Sequence, residues 1–302
     1  GNASGAPASE KRSDPADGAA YTFGELSAFY SGVYTKKEIK AYWESECSVI
    51  KGAPAAKAKA KAKAKAKAKE RAPKAEGRKP ASQEEVLKRV TECKVIPVVK
   101  VDDAAHAAPL CQALKDGGLD VAEITFRTPC AAEAIREASQ RVEGVCVGAG
   151  TVLTPAQVDE AVDSGADFVV SPGFDAKVAQ RCRARGVLYL PGVVTPTEVM
   201  AVSGGRFGLK ALKFFPASNF GGAGTLKAYA AIFPHVSFMP TGGITEANIG
   251  DFVSLPNVFA AGGSWMVASA AVQAAADGGD WSAIVEGARK AGEVARLAAK
   301  KP

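Results

Sequence analysis

The sequence predicts an α/β protein, a (β/α)8 TIM barrel preceded by a disordered, basic N-terminal extension. From residue 81 onward, short β-branched runs alternate with Ala-rich segments of helical period. Eight such runs fall within about 220 residues, which is the strand count and length of a (β/α)8 barrel. The basic charge lies elsewhere. Residues 1–80 carry 17 basic and 9 acidic side chains, whereas residues 81–302 carry 21 basic and 23 acidic ones.

The first fifty residues divide into two segments. Residues 1–20 consist mostly of Gly, Ala, Ser, Asp and Pro, and we expect them to be disordered. Residues 21–50 are rich in aromatic side chains, and a capping box formed by Thr35 and Glu38 predicts a short helical segment after it. Two uses remain open for its apolar face: docking onto the main domain and binding of a partner.

Residues 51–80 form a low-complexity linker in which Lys alternates with Ala between residues 57 and 69. Like charges four residues apart oppose a stable helix, so we expect an extended, self-repelling spacer. The alternative is a polycationic tether that binds nucleic acid or an acidic membrane and releases it as salt rises. No aromatic side chain interleaves with the lysines, so this segment has no ring on which a nucleic-acid base could stack.

The main domain, residues 81–302, begins with a strand that contains no glycine. A doubly wound sheet, the alternative to the barrel, needs a Gly-rich loop after its first strand, and Val95–Asp103 lacks one. We therefore expect barrel strands at Val95–Val101, Val121–Phe126, Val145–Val152, Phe168–Ser171, Val187–Val194, Leu212–Pro216, Val236–Pro240 and Val258–Ala261. The clearest predicted helices are Ala104–Asp116, Pro129–Arg141, Pro155–Ser164 and Asp175–Arg185.

Composition argues against several classes of protein. No run approaches the ~18 apolar residues of a transmembrane helix. Six scattered cysteines predict reduced thiols and a cytoplasmic or organellar setting rather than secretion. His106 and His235 are the two histidines, and neither belongs to a zinc motif or a nucleophile elbow, so no metal site is expected.

The second predicted strand carries charged side chains on one face. Because strand side chains alternate, Glu123, Thr125 and Arg127 share a face and should point into the barrel. Lys213 stands in the apolar sixth strand, where it has two interpretations. It is either an edge lysine that reaches solvent, or a desolvated amine, kept uncharged by burial and by a cation such as Arg127. An uncharged amine attacks carbonyl carbons, which predicts a Schiff base. Glu123 is then either a structural ion-pair partner or a proton-transfer group.

Paired glycines follow the last two predicted strands. Gly242-Gly243 and Gly262-Gly263, the latter followed by Ser264, expose backbone N–H groups at the positions where such barrels commonly hold phosphate. Tight turns without a ligand are the alternative. Neither the GxGxxG nor the GxxxxGK[ST] pattern is present.

Taken together, these residues resemble the 2-keto-3-deoxy-6-phosphogluconate (KDPG) and 4-hydroxy-2-oxoglutarate (KHG) aldolase family over about residues 84–300. The segments that carry the resemblance are Ile96–Val98, Glu123–Thr128, Gly148–Leu153, Ser171–Gly173, Pro191–Gly192, Leu212–Ala217, Pro240–Ile244 and Gly262–Trp265. The resemblance implies a homotrimeric class I aldolase of the Entner–Doudoroff pathway, without metal or organic cofactor. The reaction cleaves KDPG to pyruvate and glyceraldehyde 3-phosphate.

The resemblance also implies a role for each motif residue. Lys213 forms the Schiff base, and Glu123 is the general acid and base. Arg127 and Thr151 bind the carboxylate of the pyruvate part. Phe215 packs beside the imine, Pro172 helps to wall the site, and Thr241 orients the substrate near the seventh strand. The phosphate is bound by Gly242, Gly243, Gly263 and Ser264. Both the Arg-Thr after the second strand and the Gly-Gly-Ser-Trp end favour phosphogluconate over phosphogalactonate substrates. Activity on 4-hydroxy-2-oxoglutarate stays open, as does a barrel that acts only as a scaffold for the basic tether.

Overall fold

The computed structural model describes residues 10–13, 20–29, 36–49, 81–205 and 207–300. The chain divides into two compact units, Gly1–Ala72 and Pro73–Pro302. The Lys/Ala linker, the capping residue Thr35 and most of residues 1–20 lie outside the described residues, so the predictions for them stay predictions. Within the described ranges, no helix is long and apolar enough to cross a membrane.

The N-terminal unit contains strands as well as helices. Its elements are β1 (Lys11–Ser13), β2 (Ala20–Thr22), α1 (Phe23–Phe29), α2 (Lys36–Ser45) and β3 (Ser48–Val49). The strands form an antiparallel sheet in the order β2-β1-β3. Arg12 in β1 lies 5.1 Å from the Trp43 ring centroid and donates from Nη1 to the Trp43 carbonyl. Contacts distant in sequence therefore order a strand in a stretch for which composition predicts disorder.

The second unit repeats strand and helix. Its strands are β4 (Val95–Val99), β5 (Val121–Thr125), β6 (Cys146–Gly150), β7 (Phe168–Val170), β8 (Leu188–Leu190), β9 (Gly192–Val193), β10 (Ala211–Phe214), β11 (Ser237–Pro240) and β12 (Ala261–Gly263). Every pairing among them is parallel, in the orders β12-β4-β5-β6-β7-β8 and β9-β10-β11. This curled parallel sheet confirms the predicted α/β class.

Helices connect the strands and cover them. They are α3 (Gln83–Cys93), α4 (Ala107–Asp116), α5 (Ala131–Arg141), α6 (Pro155–Asp163), α7 (Ala176–Arg185), α8 (Pro196–Ser203), α9 (Gly222–Ile232), α10 (Ile249–Val253), α11 (Ser269–Gly278) and α12 (Ser282–Ala299). Local chemistry starts several of them. Thr154 accepts from the Gln157 N–H before Pro155 at the start of α6, and Thr195 and Glu198 form a capping box on α8.

Two short links join the parallel sheets. Pro191 alone separates β8 from β9, and its carbonyl accepts from the Lys213 N–H. On the other side, isolated parallel bridges pair Phe238 with Val258 and Thr241 with Gly262. The carboxyl ends of β5, β10, β11 and β12 therefore lie at the same end of the parallel sheets. This end is the mouth, and the candidate residues lie there.

The last strand begins later than predicted. We expected it at Val258–Ala261, but the strand is Ala261–Gly263, because Gly262 and Gly263 pair with Ile96 and Pro97 of β4. Glycine has low strand propensity, so local sequence places the end of the strand too early, and the neighbouring strand supplies the pairing. Gly263 is therefore a buried strand residue and not part of a loop.

None of the six cysteines, which all lie within the described residues, forms a disulfide bond. Burial raises the pKa of the Cys93, Cys111 and Cys182 thiols to about 12, which suppresses the reactive thiolate at neutral pH. These residues therefore act as small apolar core side chains.

Candidate active site

The centre of the site is a buried ion pair. Lys213 Nζ lies 3.3 Å from Glu123 Oε1, with side-chain exposures of 7% and 1%. Because β10 is paired on both sides, by β9 and β11, Lys213 does not lie on an edge, and the solvent-reaching interpretation fails. Removing two charges from water costs several kcal/mol, which their attraction offsets only in part. Such a pair indicates chemistry more than stability.

The second oxygen of the Glu123 carboxylate takes no part in this ion pair. Among the described residues, Glu123 Oε2 is buried and has no hydrogen-bond partner. Buried polar atoms in folded proteins nearly always have partners, so an orphaned carboxylate oxygen calls for a functional explanation. Glu123 therefore carries one buried acceptor oxygen that no protein group of the described residues occupies.

Gly150 makes room for this carboxylate. A Cβ at position 150 would lie 2.7 Å from Glu123 Cγ and 2.8 Å from Cδ, closer than carbon atoms approach without bonding. Gly150 is also the register partner of Thr125, at the end of β6. Because Gly150 has no side chain, the Glu123 carboxylate can occupy the space beside the end of β6.

Arg127 lies farther out than predicted. It comes two residues after the end of β5, and its side chain is exposed rather than inside the barrel. Its Nε donates to Thr125 Oγ1 at 3.0 Å, and Thr125 Oγ1 donates to the Val99 carbonyl at 3.0 Å. The strand ends at Thr125, so the alternation of side chains stops before Arg127, and solvent rather than the core surrounds the guanidinium.

Thr151 and Pro172 lie just beyond the ends of β6 and β7. Thr151 is half-buried and has φ 57°, in the left-handed region that side chains with a branched Cβ avoid. Pro172 is half-buried, and its carbonyl packs directly against Gly192, the register partner of Lys213. Both residues lie at the mouth.

Phe215 and Thr241 come directly after the ends of β10 and β11. The Phe215 ring centroid lies 5.2 Å from Lys213 Nζ, so the ring covers one side of the amine. Thr241 is 6% exposed and pairs with Gly262 through an isolated bridge. The Phe215 ring therefore narrows the space beside Lys213.

The glycine loops (Gly242 and Gly243 after β11, and Ser264 after Gly263, the last residue of β12) form the remaining part of the mouth. Gly243 has φ 74°, which favours glycine, and Ser218 stands where a side chain at 243 would go. Among the described residues, the backbone N–H groups of Gly243 and Ser264 donate to no protein acceptor. Gly243 and Ser264 are exposed, so these donors are open to a ligand.

Sequence reasoning assigned no role to three residues of this arrangement. Thr125 joins Arg127 to β4, Gly150 accommodates Glu123, and Ser218 packs against Gly243. The sequence did place Thr125 on the strand face of Glu123, but not its hydrogen bonds. The other two depend on contacts between separate strands. The described residues contain no cluster of His, Cys, Asp and Glu that could hold a metal ion.

Comparison with known proteins shows which family this chain is similar to. A family model described as "KDPG and KHG aldolase" matches residues 86–286. The "KHG/KDPG aldolase" of Escherichia coli K12 is 42% identical over 208 residues, covering 69% of this chain and 95% of the relative.

Two solved structures agree. The KDPG aldolase of Zymomonas mobilis ZM4 with 3-phosphoglycerate matches with TM-score 0.63 and 38% identity, over 70% of this chain and 96% of that one. The KDPG aldolase of Legionella pneumophila, with pyruvate captured as a covalent carbinolamine, matches with TM-score 0.63 and 36% identity, over 69% and 97%. The chain thus belongs to the KDPG and KHG aldolase family and is a carbon–carbon lyase.

Proposed function

We propose that the chain is a class I aldolase that cleaves KDPG to pyruvate and glyceraldehyde 3-phosphate. The observation that carries this is the buried pair of Lys213 Nζ and Glu123 Oε1 at 3.3 Å. An amine and a carboxylate in contact inside an apolar strand layer supply a nucleophile and a proton carrier together. The E. coli and Z. mobilis relatives act on the same class of substrate by name.

Lys213 opens the reaction. Lys213 first passes one proton of the ion pair to Glu123, which leaves Nζ uncharged and Glu123 protonated. Nζ then attacks the C2 carbonyl carbon, one of its two remaining hydrogens moves to the carbonyl oxygen, and a carbinolamine forms. Loss of water leaves a protonated imine on Nζ, which draws electrons from the adjacent bonds. The Phe215 ring, whose centroid lies 5.2 Å from Nζ, packs beside the imine. The carbinolamine captured in the L. pneumophila enzyme supports this sequence.

Glu123 moves the protons. It gives one to the departing hydroxyl of the carbinolamine and then takes the C4 hydroxyl proton. The C3–C4 bond breaks, its electron pair passes to the imine as an enamine, and the aldehyde leaves. Glu123 returns the proton to C3, and hydrolysis of the new imine releases pyruvate. Oε2, which has no protein partner among the described residues, is the oxygen available for these transfers.

Arg127 and Thr151 bind the carboxylate of the pyruvate part, the arginine by two parallel N–H contacts. Pro172 forms a wall of this pocket. Thr241 orients the chain of the substrate between Lys213 and the glycine loops. Each of these residues lies at the carboxyl end of a strand, where barrels of this class carry their chemistry.

The glycine loops bind the phosphate. Open backbone N–H groups at Gly243 and Ser264 suit an anion, as they do in other backbone anion sites. Gly242 and Gly263 flank these donors without side chains. The loops therefore set the distance from Lys213 at which a phosphorylated substrate ends.

A second substrate, 4-hydroxy-2-oxoglutarate, follows from the same pocket. It carries the same keto-acid end and no phosphate, and the E. coli relative is named for both activities. We expect the glycine loops to contribute to KDPG binding only. The scaffold alternative has no such support, since residues 57–69 lie outside the described residues.

We also propose that the strands close into the predicted eight-stranded barrel and that three chains assemble. Counting β8 and β9 as one strand interrupted by Pro191 gives eight, and the isolated bridges at Phe238 and Thr241 support closure. The trimer rests on the family resemblance. Light scattering of the purified chain, 31.0 kDa per protomer, tests it.

Borohydride trapping tests the mechanism. Incubation with pyruvate and borohydride should add a reduced pyruvate adduct at Lys213, located by peptide mass spectrometry. Lys213→Ala should neither trap nor cleave. Lys210→Ala, which removes an exposed lysine just before β10, is the matched control and should do both. An adduct on another lysine, or none, would overturn the proposed function.

A further inference from the structure

Thr125 connects the substrate-binding arginine to the strand layer. It is the last residue of β5 and 1% exposed. Its Oγ1 lies 3.0 Å from the Val99 carbonyl oxygen and 3.0 Å from Arg127 Nε. The family motif gives this residue no role.

The direction of both hydrogen bonds is fixed. A threonine hydroxyl carries one hydrogen, and an arginine Nε–H can only donate. The hydroxyl therefore gives its hydrogen to the Val99 carbonyl and receives from Arg127. Because β4 pairs with β5 at this point, the acceptor lone pair on Thr125 is held in place by two strands.

The rest of the guanidinium is left free. Among the described residues, Nε of Arg127 has the one protein partner, and neither Nη group has any. An exposed arginine loses rotamer freedom when it binds a ligand, which weakens binding unless another contact has already fixed it. A contact at Nε fixes the side chain and leaves the Nη1–Nη2 edge for a carboxylate.

We propose that Thr125 is a positioning residue, which holds Arg127 by Nε so that the substrate carboxylate binds end-on to Nη1 and Nη2. This rests on the proposed function, in which Arg127 binds that carboxylate. The side-on edge, Nε with Nη2, is excluded as the carboxylate site because Thr125 occupies Nε.

Thr125→Val tests it, since valine keeps the shape and removes the acceptor. We expect about a 10-fold rise in KM for KDPG, the size of one hydrogen bond to a charged group, with kcat within about threefold. The pyruvate concentration that half-saturates borohydride trapping should rise by a similar factor. Thr125→Ser, which keeps the hydroxyl, should restore both and also serves if the valine variant folds poorly.

The control is Thr91→Val. Thr91 Oγ1 in α3 donates to the Leu87 carbonyl at 2.8 Å, so the variant loses the same kind of bond, from a threonine hydroxyl to a backbone carbonyl, without touching Arg127. Its KM should stay within about twofold. A double-mutant cycle adds a measurement that a purely structural role of Thr125 would not affect. In an Arg127→Lys background, Thr125→Val should change KM less than about twofold.

Two results would overturn the proposal: an unchanged KM in Thr125→Val, or the same fold increase with and without the Arg127→Lys substitution. Either would leave the proposed function standing, provided that Lys213 of the unmutated chain still traps pyruvate. Absence of that adduct in the unmutated chain would remove the proposed function itself.

Discussion

The two parts of the mouth, the charged cluster and the glycine loops, consist of different chemical groups. The charged cluster (Glu123, Arg127 and Lys213) uses long side chains held by specific hydrogen bonds. The glycine loops use backbone groups and almost no side chains. In the proposed mechanism, the cluster stabilises charges that change during the reaction, whereas the glycine loops bind a phosphate whose charge stays constant. We therefore expect loss of the reacting groups in the cluster to lower kcat and damage to the loops to raise KM.

The largest effect is expected from Glu123→Gln. The amide keeps the size of the carboxylate and cannot carry the proton, so kcat should fall about 10²- to 10⁴-fold. Pyruvate trapping at Lys213 should survive at longer incubation. Steady-state kinetics and mass spectrometry measure the two. A kcat within about threefold of the unmutated enzyme would remove Glu123 from proton transfer.

Gly150→Ala should come next. The added methyl group would overlap Glu123 Cγ and Cδ, so the carboxylate must move. A shift of about 1 Å in a catalytic group can cost about 100-fold in rate, and we expect steady-state kinetics to show a fall in kcat of that order with little change in KM.

The matched control is Gly224→Ala, in helix α9, where a Cβ would meet no atom within 4 Å. It should leave kcat unchanged and add up to about 1 kcal/mol of stability. Equal kinetics for the two alanine variants would mean that Gly150 does not shape the site.

Gly243→Ala probes the other part of the mouth. Alanine is strained at φ 74°, and its methyl group would lie 2.5 Å from Ser218 Cβ, so the loop must shift. We expect KM for KDPG to rise about 10-fold, the equivalent of ~1.4 kcal/mol, while KM for 4-hydroxy-2-oxoglutarate stays the same. A rise for both substrates would contradict a phosphate-specific role.

Gly186→Ala is its control. Gly186 has φ 69°, ends α7 and has no atom within 4 Å of a Cβ. The substitution carries the same backbone strain away from the mouth. It should lower stability by about 1 kcal/mol and leave both KM values unchanged.

The smallest effect is expected at the capping box of α8, which lies outside both the charged cluster and the glycine loops. The N–H groups of Thr195 and Val194 hold the pKa of Glu198 below its ordinary value of 4.5. Because the folded pKa is the lower one, the stabilisation is present above about pH 4.5 and disappears as pH falls through the folded pKa.

Glu198→Gln should therefore destabilise the fold by less than about 1 kcal/mol at pH 7, since water screens the group, and by less still in acid. Thermal melts at neutral and acid pH measure this. Kinetics should not change. A loss of stability that grows in acid would contradict the sign of the shift.

Sequence alone predicts the side chains of the site better than its geometry. Glu123 and Lys213 stand out because charge is rare in buried strands, and their contact follows once both point inward. The exposure of Arg127 did not follow, because the end of β5 depends on pairing with β6. The start of β12 and the strand at Lys11–Ser13 were missed for a related reason. Each is stabilised by partners far away in the chain, which local propensity does not describe.

The backbone at Thr151 carries a last consequence. A threonine with φ 57° costs on the order of 1 kcal/mol that glycine would not. Selection for stability alone would therefore favour glycine at position 151. A directed-evolution search for heat resistance should drift toward glycine there. Under the proposed function, such a variant would be more stable but would bind the carboxylate of the keto acid less tightly.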